Sequence, residues 1–167
     1  PISISTINGS GGEDQTFTLT FNNILNLSNF TLKTITAAFS GADVVWVGVG
    51  FRVQANGDGY YVYIASNNTL GIYKYIDGVW VAIADAVPGV DCLLKHEIKI
   101  VGLGDGLYVF LDGILKLFLI DTQFLTGTFT LCSESGGGVV VWERVTLEDN
   151  PEVNGLDMSG AMCVTCS

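Results

Sequence analysis

The chain is 167 residues long, 49% hydrophobic and 14% charged, which suits a single domain with a sizeable core. Seven Lys and Arg stand against 17 Asp and Glu, a formal net charge of -10. The cations (Lys33, Arg52, Lys74, Lys95, Lys99, Lys116, Arg144) are scattered along the chain, a pattern that excludes a phosphate-tracking nucleic-acid binder or an anionic-membrane binder. Mean hydropathy is +0.45, yet no run approaches the roughly 20 apolar residues of a spanning helix, so no membrane insertion is expected.

No charged start followed by an apolar run stands at the first residues, so any leader is expected to be gone or never to have existed. The first clear strand is Gln15 to Phe21, where polar and apolar residues alternate strictly. Phe30 to Phe39 follows, then Val44 to Gln54 (VVWVGVGFRVQ), whose nearly continuous β-branched and aromatic content predicts burial on both faces. After a turn at Ala55 to Gly59 come Tyr60 to Ala65 (YYVYIA), Leu70 to Tyr75 (LGIYKY) and Val79 to Ala84 (VWVAIA). The last two are joined by Asp77-Gly78, a strong hairpin signal because the tight turn needs positive φ.

The same grammar then repeats: His96 to Val101, a turn at Gly104 to Gly106, Leu107 to Leu111, Asp112-Gly113, and Ile114 to Ile120. Gly127 to Cys132 and a long closing strand, Gly138 to Leu147, finish the domain. No segment has sustained helical periodicity, and about ten short strands at turn-limited spacing predict an all-β sandwich or barrel over 1–147. Residues 148–167 carry four acids, no base and two cysteines, and are expected to form an extended C-terminal tail.

The run GFRVQANGDGYYVYI from Gly50, with LGIYKYIDGVWVAIA, HEIKI, LYVFLDGIL and GGGVVVWERVTL after it, resembles the concanavalin A-like, laminin G-type jelly roll. Tyr60, Tyr61, Lys74, Trp80, His96 and Asp112-Gly113 occupy the places of that pattern, which covers most of Phe17 to Leu147. The resemblance implies an antiparallel β-sandwich. It says little about activity, because the fold hosts lectins, glycan-binding modules, glycosidases, adhesion domains and virion proteins.

Glycosidases on such a fold place two carboxylates across the sugar, in relatives as Glu-x-Asp-x-x-Glu along one strand, and no such string occurs here. Glu97 and Glu143 are the only acids deep in strand runs and are expected to face solvent, so no enzyme activity is expected. His96 has no readable Ser or Cys partner and is expected to pack and hydrogen-bond. Asn56, Asp58 and Asp105 are the best calcium candidates, since loops supply the oxygens that Ca²⁺ takes; turn geometry alone already accounts for Asp and Asn at those places. Otherwise no cofactor is expected.

Aromatic rings offer a face on which the C–H side of a sugar can lie. Strand alternation puts Tyr61 and Tyr63 on one face, opposite to Tyr60, while Tyr73 and Tyr75 share a face across Lys74; with Trp80 these are the glycan-stacking candidates, and Tyr108 is a further aromatic. Cys92, Cys132, Cys163 and Cys166 are disulfide candidates with three fully paired connectivities open. Asn8, Asn26, Asn29 and Asn67 begin N-x-S/T triplets, which matter only in a glycosylating pathway. Uncharged apolar strands and a cysteine-bearing tail favour, first, a non-enzymatic structural subunit that assembles with itself or other subunits on a virion or in an extracellular filament. The alternative is a carbohydrate-binding, lectin-like module whose partners are surface glycans. Virion, extracellular space and cell surface are the locations these readings imply.

Overall fold

The computed structural model describes residues 2–4, 7–10, 15–17, 29–36, 44–84, 86–135, 139–148 and 162–165. Fifteen strands and no helix occur among them, so no described helix can cross a membrane. In chain order the strands are β1 (Ile2–Ile4), β2 (Ile7–Ser10), β3 (Gln15–Phe17), β4 (Phe30–Thr36), β5 (Val44–Val53), β6 (Gly59–Ala65), β7 (Thr69–Ile76) and β8 (Val79–Ala82). Then follow β9 (Val87–Pro88), β10 (His96–Leu103), β11 (Gly106–Leu111), β12 (Ile114–Ile120), β13 (Thr128–Ser135), β14 (Val139–Glu148) and β15 (Met162–Thr165).

They form two sheets. One runs β1-β14-β4-β10-β11-β12-β15, with β2 also on β14; the other runs β3-β13-β5-β6-β7-β8, with β9 on β7. Every pairing is antiparallel except β12 with β15. Of the expected tail only Glu148 and Met162–Thr165 are described; its other residues, Cys166 among them, and the side chain of Cys163 lie outside the described residues, as do Asn26 and residues 18–21 of the first expected strand.

Strand alternation builds the core between the sheets. Val47, Val49, Phe51, Tyr60, Val62, Ile64, Leu70 and Ile72 point inward from one sheet and meet Phe30, Leu32, Ile98, Ile100, Leu107, Val109, Leu117 and Leu119 from the other. The hairpins close as their dipeptides dictate: Asp77 and Gly78 have φ of 50° and 82°, and Asp112 and Gly113 have 50° and 80°, the two positive values of a type I′ turn. Asp112 also accepts from the Glu97 amide (2.9 Å) and lies 2.7 Å from His96 Nδ1, while His96 Nε2 donates to the Asp91 carbonyl at 2.8 Å. His96 is thus a buried tie between a hairpin and a loop.

Arg52, within the run expected to be buried on both faces, is buried. It is the extra residue of a bulge: Thr128 pairs with Val53 and Phe129 with Phe51, and Arg52 between them has φ 51°. The bulge turns a cation fully into the interior, where it donates to the carbonyls of Gly104 and Phe124 (3.2 Å for the second) and lies over the Phe30 ring. Beside it Asp121 accepts from Tyr60 (2.6 Å), from the Gln123 amide (2.8 Å) and from Lys74. Burial alone pulls the Asp121 carboxyl up, but the bonds from Lys74, Tyr60 and Gln123 outweigh it and hold the group below its ordinary value.

Candidate functional site

The outer face of the second sheet carries a groove of about 940 Å³. Its floor comes from the alternation of β5: Val47, Val49 and Phe51 point to the core, leaving Trp46, Gly48 and Gly50 for the outside. Register places Gly48 opposite Tyr63 and Gly50 opposite Tyr61 on β6; Tyr63 in turn faces Gly71 and Tyr61 faces Tyr73 on β7, and Tyr75 faces Trp80 on β8. Three of the rings therefore lie against residues that have no side chain: Trp46 beside Gly48, Tyr61 over Gly50 and Tyr63 over Gly71.

That arrangement is sterically specific. A Cβ on Gly48 would stand 2.6 Å from the Val62 carbonyl and 3.2 Å from the Trp46 ring, one on Gly50 would stand 2.7 Å from the Tyr61 ring, and one on Gly71 would collide with the Tyr63 hydroxyl. The rings also brace one another: Trp80 lies 4.7 Å from Tyr75, 4.9 Å from Tyr61, 6.0 Å from Tyr73 and 6.2 Å from Trp46, and Tyr63 stacks on Tyr73 at 5.0 Å. Tyr61, mostly covered, donates to the Gly57 carbonyl at 2.7 Å. Burial and the contact with Tyr73 push the Tyr63 hydroxyl up to about 12.

All five stacking candidates, Tyr61, Tyr63, Tyr73, Tyr75 and Trp80, thus line one groove. Tyr60 packs in the core, and Tyr108 stacks on Phe118 of the other sheet at 4.6 Å. Trp46, Cys132 and Ser133 line the groove too and were not anticipated, nor was the glycine floor. The signal was present in the VGVG of β5 and the Gly at the centre of LGIYKY, but it becomes readable only when the strands are put in register.

The calcium candidates serve the turns. Asp58 accepts from Asn56 Nδ2 (2.8 Å) and from the Asp77 amide (3.0 Å), so it ties the β5–β6 turn to the β7–β8 turn at the groove's end. Asp105 stands in the β10–β11 turn of the other sheet, where its carbonyl accepts from the Asp121 amide. No three His, Cys, Asp or Glu come together as a metal site among the described residues. Cys92 and Cys132 are free, buried thiols in different clusters, Cys92 in the core and Cys132 beneath the groove. Burial pushes both thiols up.

No protein-family model matches the chain, and no curated protein matches it. Solved structures do. The carbohydrate-binding module CBM66 from Bacillus subtilis superposes with a TM-score of 0.73 at 22% identity, over 84% of this chain and 85% of that one. The Caenorhabditis elegans galectin LEC-6 gives 0.62 at 11% identity (87% and 95% covered), and the Ruminococcus gnavus sialidase module CBM40 bound to α2,3 sialyllactose gives 0.60 at 14% (90% and 92%). Glycosidic hydrolase and alginate lyase chains share the sandwich as well. The chain has the concanavalin A-like jelly-roll fold.

Proposed function

We propose that the protein is a non-catalytic carbohydrate-binding domain whose site is the groove over β5, β6, β7 and β8. The observation that carries this reading is the convergence of Tyr61, Tyr63, Tyr73, Tyr75 and Trp80 on one open surface. A concave, mostly apolar site with a few polar groups at its margin is the general form of a small-molecule site, and ring faces with hydroxyls suit a sugar's own division into C–H and O–H surfaces. The structural neighbours named above, two carbohydrate-binding modules and a galectin, add support. Among the described side chains no facing pair of carboxylates lines the groove, which favours binding without hydrolysis.

This order reverses the expectation from sequence, in which assembly on a virion or filament came first. Nothing in the fold comparisons supports assembly. A glycan-binding role places the protein where glycans are displayed, in the extracellular space or at a cell surface. A glycan array combined with light scattering tests the reading: a monomer that binds a defined glycan, and loses it in the Trp80→Ala variant, is expected. A polymerising chain with no glycan bound would return the assembly reading to first place.

A further inference from the structure

The groove's charge is more informative than its shape. All seven Lys and Arg and the single His of the chain belong to the described residues, so the position of every cationic side chain is known. None lines the groove. Lys74, on the same strand as Tyr73 and Tyr75, points to the opposite face and is bound to Asp121, and Arg52 is held inside by the Gly104 and Phe124 carbonyls. Lys33, Lys99, Lys116 and Arg144 belong to β4, β10, β12 and β14 of the other sheet, and His96 is bonded to Asp112. Lys95 lies in the loop before β10.

The polar groups described in the groove are neutral. Asn67, Thr69 and Ser133 supply amide and hydroxyl groups, Tyr63 keeps its proton to about pH 12, and burial keeps Cys132 protonated. A sugar carboxylate brought here would give up water for no counter-charge, in a protein whose formal net charge is -10. A neutral sugar loses no such hydration, and its hydroxyls find donors and acceptors. The volume of about 940 Å³ stands near the top of the ~300–1,000 Å³ range of small-molecule sites, and from β13 to β8 the sheet spans four strand spacings, ~19 Å. That exceeds what one sugar ring fills.

From these observations, and resting on the glycan-binding reading above, we infer that the ligand is an uncharged oligosaccharide of several linked rings and that uronate- or sialate-bearing glycans are rejected. The module bound to sialyllactose shares the sandwich, but the groove described here has no cation to receive that ligand's carboxylate.

Neutral glycans and their acidic counterparts test the inference: methyl-esterified against de-esterified polygalacturonan, unsubstituted xylan against glucuronoxylan, and lactose against sialyllactose, supplemented by neutral gluco- and fructo-oligosaccharides of increasing length. Affinity electrophoresis and calorimetry on the whole chain read the outcome. The expected result is binding to at least one neutral series, strengthening with length beyond the disaccharide, unchanged between low and high salt, with any acidic counterpart at least tenfold weaker. Ser133→Arg is expected to narrow that difference. Tighter binding of an acidic member, weakening with salt and lost in Trp80→Ala, would overturn the neutral-ligand inference and leave the glycan-binding reading standing. Binding to no member of either set would overturn the glycan-binding reading itself.

Discussion

Trp80 is the residue on which the groove most depends, and Trp80→Ala separates its two roles. The side chain is 47% exposed, so roughly half of the ~250 Å² that an indole can bury is covered by its neighbours. At ~25 cal/mol per Å² that cover is worth about 3 kcal/mol, an upper bound because the unfolded chain already hides part of the area. The four ring contacts overlap with this burial and add at most about 1 kcal/mol. Urea denaturation of the variant is therefore expected to show a loss of about 2–3 kcal/mol, with the β-sheet circular dichroism of the native state unchanged. Glycan affinity is expected to fall at least tenfold, because the exposed half of the indole is the broadest ring face in the groove. Trp80→Phe, which keeps a ring against Tyr61 and Tyr75, is expected to recover more stability than affinity. A Trp80→Ala protein that folds, binds its glycan with wild-type affinity and differs only in denaturation midpoint would show that the aromatic cluster is packing and nothing more.

Further outcomes follow from other parts of the molecule. Because the Asp121 carboxyl is held below its unfolded value, its contribution is fully present above about pH 4 and is lost as pH falls from there toward the folded value. Asp121→Asn should cost up to about 3 kcal/mol at neutral pH by leaving the largely covered Lys74 unpaired, and should flatten the acid limb of a stability profile recorded from pH 6 to 2.5; an unaltered acid limb would refute the assignment. Gly48→Val should cost about 1–3 kcal/mol or prevent folding, since its Cβ meets backbone, whereas Gly71→Ala meets only the end of the Tyr63 side chain and should keep its melting temperature while weakening glycan binding. Peptide mapping after N-ethylmaleimide treatment should find Cys92 and Cys132 unmodified in the native protein and labelled in urea; rapid native labelling of Cys132 would contradict its burial under the rings.

What could be read from sequence is what local chemistry decides. Asp77-Gly78 and Asp112-Gly113 announced their turns because positive φ at two successive positions leaves few residue choices. Tyr61 with Tyr63, and Tyr73 with Tyr75, fell on one face because alternation is a property of each strand alone. The burial expected of Val44 to Gln54 holds for 47–53, though the outer side of Gly48 is met by the Trp46 ring of its own strand and that of Gly50 by the Tyr61 ring of β6, rather than by a second layer. The features missed all depend on partners distant in sequence. The bulge at Arg52 shows only when Thr128 and Phe129 of β13 are put in register with Val53 and Phe51. The glycine floor is invisible until register puts Gly48 and Gly71 on either side of Tyr63 and Gly50 beside Tyr61.

The two outer faces of the sandwich show why one of them is the better site. On the β4–β10 face Lys33 stands directly opposite Lys99, whose ammonium lies 4.3 Å from the Phe110 ring, so long charged side chains cover that sheet. On the other face the described side chains of the groove are rings and short neutral groups set over glycines, and the one cation in β6, β7 and β8, Lys74, is drawn through to Asp121. Removing side chains from the central strand lowers the floor, while Tyr61, Tyr63, Tyr73, Tyr75 and Trp80 raise the walls, and the tilted contacts among them fix each ring before a ligand arrives. Rings held in this way lose little rotamer freedom on binding, so the site spends less of its contact energy on ordering itself. A groove preorganised on rigid strands and free of cationic side chains is suited to a ligand that offers flat C–H faces and hydroxyls in a repeating chain.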